Sequence, residues 1–223
     1  LISIIIPVLN EADTIVKTLQ KLQIYRKQGH ELILVDGQSH DETQSLAEPL
    51  VNKIICTQKG RARQQNAGAQ RASGDIFLFL HADTELPNNT DELIVSQLEQ
   101  RLVWGRFNVR LSGKHWLLRI VERFMNWRSC LTGIATGDQA IFMTRAVYDE
   151  IGGIPEIDLM EDIAVSKRLK AISRPACISV AVITSSRRWE KNGIFRTILF
   201  MWSLRLQYFL GVNPETLVKK YYP

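Results

Sequence analysis

The chain has 223 residues, 45% of them hydrophobic and 23% charged, which excludes a disordered or low-complexity protein and allows one sizeable core. It contains no run of roughly 18 uncharged apolar residues, so no membrane span is expected. The net charge of +5 lies wholly at the end, where seven Lys/Arg from Arg187 onward face two Glu. That balance suits an anionic substrate or an acidic membrane surface. The basic residues form no interleaved stripe and no recognised motif, so nucleic acid is not expected as a partner.

The chain opens on Leu1–Val8, a β-branched run that reads as a buried strand ending near Pro7, which cannot donate to a ladder. No basic leader precedes it, and no signal peptide is expected. Asn10 is an expected helix N-cap, followed by Glu11 and Asp13 in the first turn and an apolar face of Ile15, Leu19 and Leu22. Strands are expected at Glu31–Val35 and Lys53–Cys56, then a helix over Gly60–Ser73 whose small residues allow close packing. Arg61 and Arg63 at the start of that helix oppose its dipole, which points to an anion there. Ile76–Leu80 is a continuous apolar run bounded by turn residues, as suits a strand buried on both faces. This alternation of strand and helix is the rhythm of a parallel, doubly wound α/β sheet. Neither a Gly-x-Gly-x-x-Gly nor a Gly/Arg/Lys-rich phosphate loop follows the first strand, which counts against dinucleotide-binding and nucleotidyl-transfer enzymes.

The second half reads differently. A helix over Asp91–Leu102 leads into Trp104–Leu111, which alternates as a half-exposed strand would, with Arg106, Asn108 and Arg110 on the polar side. Trp116–Arg128 is an expected amphipathic helix with Trp116, Ile120, Phe124 and Trp127 along one side. Further elements are a strand at Ala140–Met143, a helix from Arg145, a helix from Met160-Glu161-Asp162 to Leu169, and a strand at Cys177–Ile183. Ile194–Leu210 is apolar nearly all round. It is expected to pack on the sheet, to form a dimer interface, or to lie on an anionic bilayer. Cys56, Cys130 and Cys177 make no zinc pattern or disulfide framework and read as reduced thiols of a cytosolic protein. His30, His40 and His115 read as surface residues.

Acidic residues recur where strands end, the edge at which open α/β sheets bind ligands: Glu11, Asp36, Asp83, and Glu161-Asp162 at a helix start. The ordered set Pro7-Val8-Leu9-Asn10-Glu11, Val35-Asp36-Gly37-Gln38-Ser39-x-Asp41-x-Thr43, Gly60-Arg61-x-x-Gln64-x-Asn66-x-Gly68, Ala82-Asp83-Thr84, Gly137-Asp138-Gln139 and Glu161-Asp162 resembles the family 2 glycosyltransferases of the GT-A fold. The resemblance covers roughly residues 1 to 190. It implies a single nucleotide-diphospho-sugar transferase-like domain with a mostly parallel central sheet: a nucleotide-binding half over 1–103, an acceptor-binding half over 104–190, and a helical extension over 191–223.

The resemblance further implies a UDP- or GDP-sugar donor, a hydroxyl acceptor, inversion at the anomeric carbon and a divalent metal, Mn²⁺ or Mg²⁺. Pro7 and Leu9 would wall the nucleotide pocket, Glu11, Asp36 and Gly37 would hold base and ribose, and Arg61 would lie near the diphosphate. His81, Ala82 and Asp83 stand at the family's Asp-x-Asp position, with His81 in place of the first Asp, so Asp83 and His81 are the implied metal ligands. Asp162 would be the general base and Glu161 its support. Asp138 and Gln139 would contact a sugar, and Arg187, Arg188 and Trp189 match a basic-aromatic element that covers the diphosphate. The remaining expectations are a cytoplasmic protein, with peripheral contact at the inner membrane face or a homodimer left open, and, as an alternative function, an inactive sugar-nucleotide-binding or membrane-docking module.

Overall fold

A computed structural model describes residues 1–221. The first half is the α/β rhythm in space: β1 (Ile2–Val8), α1 (Ala12–Lys27), β2 (Glu31–Asp36), α2 (Thr43–Ala47), β3 (Lys53–Cys56), α3 (Arg61–Arg71) and β4 (Ile76–Phe79). β5 (Thr84–Glu85), α4 (Thr90–Glu99), β6 (Trp104–Leu111), α5 (Trp116–Thr132), β7 (Phe142–Thr144), α6 (Arg145–Glu150), α7 (Glu161–Ile172) and β8 (Ala176–Thr184) complete the sheet and its cover. α8 (Arg187–Asn192), α9 (Ile194–Phe209) and α10 (Pro214–Tyr221) follow.

The eight strands lie in the order β3-β2-β1-β4-β7-β6-β8-β5. β1 pairs in parallel with β2 and β4, β2 with β3, and β6 with β8. β7 runs antiparallel to both its neighbours, and β5 antiparallel to β8. The reversal at β7 brings the segment before it, Gly137–Gln139, to the edge where β1, β2 and β4 end.

Strand periodicity divides the core between the two faces of the sheet. Ile2, Ile4, Ile6 and Val8 of β1 pack with Ile15, Leu19 and Leu22 of α1, while Ile5 faces Ala62 and Ala69 of α3, with Phe77 and Phe79 of β4. Each such fully buried side chain stabilises the fold by about 1.5–3 kcal/mol. α3 approaches very closely: a Cβ at Gly68 would stand 2.5 Å from Ile5 Cγ2 and 2.9 Å from Val35 Cγ2. Only glycine fits there, which accounts for the small residues of that helix.

Several expectations are corrected. Asn10 does not cap α1. Its backbone is left-handed (φ 54°) and Glu11 holds the cap position. Asn10 instead ties two loops together, donating its N–H to Ser39 Oγ at 2.9 Å and accepting from His40 N at 2.9 Å. Arg106 was expected on an exposed strand face but is buried, and its guanidinium donates to Asn126 O of α5 at 2.9 Å. Burial lowers its pKa to about 10. His30 is partly buried, with Nε2 3.3 Å from Asp91 Oδ2.

Cys130 and Cys177 are not free thiols; they form a disulfide between α5 and β8, with their Cα atoms 5.9 Å apart. Residues 47 apart in sequence meet only through the fold, so spacing carried no sign of the pair. With two of three thiols paired, reduced cysteines no longer support a cytosolic compartment.

The outer helices expose their apolar sides. On α5, Leu118 and Val121 face inward, whereas Trp116, Phe124 and Trp127 are each at least 60% exposed. On α9, only Thr197 and Leu204 are buried, and Phe195, Leu199, Trp202, Leu206 and Phe209 face out. The two helices meet where Leu118, Val121 and Met125 pack with Ile194 and Ile198. Among the described residues no helix is long and apolar enough to cross a membrane.

Candidate active site

Strand ends and three helix starts converge on a cleft of about 450 Å³. Pro7 and Glu11 come from the end of β1, His81, Ala82 and Asp83 from the turn after β4, and Asp138 from the turn before β7. Arg61 opens α3, Glu161 and Asp162 open α7, and Arg187, Arg188 and Trp189 open α8. All of these were singled out in the sequence, and the structure brings them together. Four non-glycine residues at this edge, Asn10, Gln38, Ala140 and Met160, have left-handed backbones. Each such residue costs on the order of 1–3 kcal/mol, which the surrounding structure must offset.

At one end Arg187 stands between two carboxylates, with Nη2 3.7 Å from Glu11 Oε2 and 3.9 Å from Asp83 Oδ2. Glu11 also accepts from Thr14 Oγ1 at 2.7 Å, which fixes its side chain on the first turn of α1. At the other end Asp162 Oδ2 accepts from Gly137 N at 3.1 Å and Oδ1 from Ile163 N at 2.7 Å. Beside it Glu161 is buried, 3.5 Å from Arg61 Nη1. Burial raises the Glu161 pKa, the Arg61 charge opposes the rise and Asp162 adds to it.

His81 connects the two ends. Its Nδ1 lies 3.2 Å from Asp138 Oδ1. Burial works to raise the Asp138 pKa, but the bond to His81 and the charges of His81, Arg61 and Arg205 hold it below the ordinary value. The other ring nitrogen, Nε2, is buried without a hydrogen-bond partner among the described residues and abuts Gly137, where a Cβ would come within 2.6 Å of it. The ring is turned to Asp138 and Gly137.

Among the described residues no three His, Cys, Asp or Glu side chains gather into a metal cage. Asp83 alone of the expected pair offers carboxylate oxygen to the cleft. One carboxylate plus substrate phosphate oxygens is an ordinary donor set for Mg²⁺ or Mn²⁺, so the residues fit a metal that arrives with a diphosphate.

Other expected residues lie outside the lining. Asp36 is fully buried and accepts from Ser39 N at 2.9 Å and Gln44 Nε2 at 2.8 Å, shaping the loop after β2. Gly37 backs onto the Gln64 amide, which donates to Val8 O and Val35 O at 2.8 Å each. Leu9 is exposed beyond β1. Gln139 is buried, donating to Ser129 Oγ at 2.9 Å and accepting from Thr136 N at 3.1 Å. It braces the turn that carries Asp138. The sequence reading gave no site role to Thr136, Gly137, Leu159, Met160, Thr197, Met201 or Arg205, all of which line the cleft. The last three show that α9, expected only as an extension, forms a wall of the site.

A mostly parallel sheet, flanked by helices and carrying an acidic and basic cleft at its carboxyl edge, defines the chain as a member of the GT-A glycosyltransferase fold class. Residues 3–151 match the model of Glycosyl transferase family 2, and the chain belongs to that family. It is 36% identical over 91 residues to glycosyltransferase AglE of Haloferax volcanii, covering 37% of this chain and 30% of that one. It is 30% identical over 110 residues to an undecaprenyl-phosphate 4-deoxy-4-formamido-L-arabinose transferase of Pseudomonas fluorescens, covering 44% of this chain and 32% of that one. The chain thus matches about a third of the length of these relatives. Among solved structures it superposes on S. aureus TarS 1-349 with a TM-score of 0.65 at 16% identity, covering 83% of this chain and 60% of that one. It superposes on the mannosyltransferase PcManGT from Pyrobaculum calidifontis, in complex with GDP-Man and Mn²⁺, with a TM-score of 0.66 at 21% identity, covering 82% and 56%.

Proposed function

We propose that the chain is an inverting glycosyltransferase that moves a sugar from a UDP- or GDP-sugar to an acceptor hydroxyl. The observation that carries this reading is the polarity of the cleft: Asp83 and Arg187 at one end, Asp162 at the other. The diphosphate belongs at the first end, where Arg187 and Arg188 supply forked donors to phosphate oxygens and Trp189 a flat apolar face. The acceptor enters at the second end. Its hydroxyl oxygen attacks the anomeric carbon as the bond to the diphosphate breaks. The hydroxyl proton passes to Asp162, and the electron pair leaves with the diphosphate. Asp162 suits that role because Gly137 N and Ile163 N orient its carboxylate. Glu161, paired with Arg61, supports the same turn. A Mn²⁺ or Mg²⁺ held by Asp83 would supply stabilisation of the charge growing on the diphosphate.

The test is a panel of UDP- and GDP-sugars with Mn²⁺, Mg²⁺ or chelator, on wild type and Asp83→Ala. Metal-dependent binding and slow hydrolysis of one donor, lost in the variant, is the expected result. Binding without transfer to any acceptor would favour a nucleotide-sugar-binding or docking module. No binding by folded protein would end the glycosyltransferase reading.

The protein also contacts an anionic bilayer peripherally, through the outer faces of α5 and α9. The argument is charge complementarity. Exposed Trp116, Phe124, Trp127, Trp202 and Phe209 form an apolar surface beside the basic tail, which contains Lys219 and Lys220. Aromatic side chains with flanking cations bind at the interface of anionic lipid. Sedimentation with anionic vesicles that weakens with salt is expected. A salt-insensitive dimer that does not sediment with vesicles would assign the surface to a second copy.

A further inference from the structure

Two arginines near the acceptor end are committed to no carboxylate. Arg128 of α5 has a buried Nη2, and Arg205 of α9 a buried Nε, that lack a hydrogen-bond partner among the described residues. Arg205 lines the cleft together with Asp162, Met201 and Thr197. Arg128 is close enough to feel both charges: burial first, then Arg205, lower its pKa to about 10 against the opposing pull of Asp162. Arg205 also contributes to holding the Asp138 pKa down. Two half-buried guanidiniums whose charges oppose each other, each with a buried N–H left unbonded, are unfavourable unless an anion joins them. Among the described residues no ion pair joins Asp162 to either guanidinium; its oxygens accept from Gly137 N and Ile163 N. Two other arginines of the cleft face carboxylates, Arg61 facing Glu161 and Arg187 facing Glu11 and Asp83.

We propose that Arg128 and Arg205 form an anion-binding station that takes a phosphate monoester carried by the acceptor and so places the acceptor beside Asp162. The assignment of this end to the acceptor rests on the glycosyltransferase reading above, and the station names the acceptor's chemical class. A phosphate monoester fits better than a carboxylate. It carries close to two charges at neutral pH and presents three acceptor oxygens, enough for donors arriving from two helices. Arginine is the residue suited to such recognition, since its fork keeps its charge even when desolvated. The phosphate can belong to a soluble compound or to a lipid, and the exposed apolar faces of the same two helices make that a question of source.

The test titrates glycerol 3-phosphate and dodecyl phosphate, the latter below its micellar concentration, into the full chain saturated with nucleoside diphosphate and Mn²⁺, read by calorimetry. At least one probe is expected to bind alongside the nucleotide. Arg128→Gln/Arg205→Gln should weaken it by about tenfold or more, as loss of charge-assisted bonds requires, and leave nucleotide affinity within about twofold. Arg128→Lys/Arg205→Lys should retain part of the binding. Preference for dodecyl phosphate assigns a lipid source, and equal or better binding of glycerol 3-phosphate a soluble one. The proposal is overturned if neither probe binds wild type, if the double Gln variant binds equally well, or if nucleotide displaces the probe. Should the double variant fail to fold, single Arg205→Gln gives the same readout from the cleft wall. Failure of the nucleotide itself to bind would strike the glycosyltransferase reading instead, and the probe titrations without nucleotide would still decide the arginine pair.

Discussion

Arg187 Nη2 lies 3.9 Å from Asp83 Oδ2, so the cation at the donor end of the cleft is supplied by the first residue of α8. The same guanidinium is 3.7 Å from Glu11 and thereby holds two carboxylates on one side of the cleft. Arg187→Ala removes the positive charge that the proposed function assigns to a diphosphate, and takes from Glu11 and Asp83 the cation they share. Nucleoside diphosphate affinity is expected to fall by about tenfold, since hydrogen bonds to charged groups contribute about 1.5–3 kcal/mol. Arg187 is largely exposed, so the loss should shrink as salt rises. Unchanged affinity at low salt would remove Arg187 from the donor site.

Asp162→Asn keeps the side-chain oxygen that can accept from Gly137 N but cannot take a proton. The expected result is a kcat lowered by about 10²–10⁴-fold with donor KM little changed. A fall in donor affinity with kcat intact would assign Asp162 to binding instead.

Glu31 gives a stability prediction away from the cleft. It is buried at the start of β2 and accepts from Ser3 Oγ at 2.6 Å, Lys53 Nζ at 2.6 Å, and Ser73 N and Oγ at 2.8 Å each. Burial alone would raise its pKa, but the bonds from Lys53, Ser3 and Ser73 outweigh it and bring the value to about 2. A carboxylate whose pKa is depressed on folding stabilises the protein above its unfolded value and loses that stabilisation as pH falls through the folded one. Glu31→Gln should therefore cost on the order of 2–3 kcal/mol at pH 7 in denaturant titrations. The gap to wild type should close between about pH 4.5 and 2. A gap independent of pH would mean that shape, not charge, matters at this position.

The fold was legible in the sequence because it rests on local patterns. The apolar runs of β1 and β4 and the small residues of α3 each announce how deeply they are buried. Much of the cleft was legible too, since Glu11, Asp83, Asp162 and Arg187 follow strands or open helices whose ends share one edge. What stayed hidden depends on chain segments meeting over long distances. Nothing local marks Arg106 as buried, because the carbonyl that accepts from it, Asn126 O, comes from a helix 20 residues on. Nor does anything local show that Asp36 and Gln139 lie outside the cleft lining, bonded to Ser39, Gln44 and Ser129. Thr197, Met201 and Arg205 became visible only when α9 returned over the cleft.

The Cys130–Cys177 bridge makes a further prediction. Closing a loop of this length restricts the unfolded chain and is worth about 4 kcal/mol in the chain-entropy model. Alkylation of the denatured, unreduced protein should label Cys56 alone, and all three cysteines after reduction. Cys177→Ser should lower stability by about 2–4 kcal/mol. Three labelled thiols without reductant, in protein prepared under oxidising conditions, would refute the pairing.

α9 has an inner side, where Thr197, Met201 and Arg205 face the cleft, and an outer side of bare aromatic and aliphatic surface. Whatever grips the outer side therefore holds, from behind, the same helix that walls the proposed acceptor end. On a lipid surface the search for acceptor becomes two-dimensional, with the entrance held at the depth where a headgroup lies. Turnover in dilute aqueous solution and turnover at an interface would then differ because the wall itself is part of the interface.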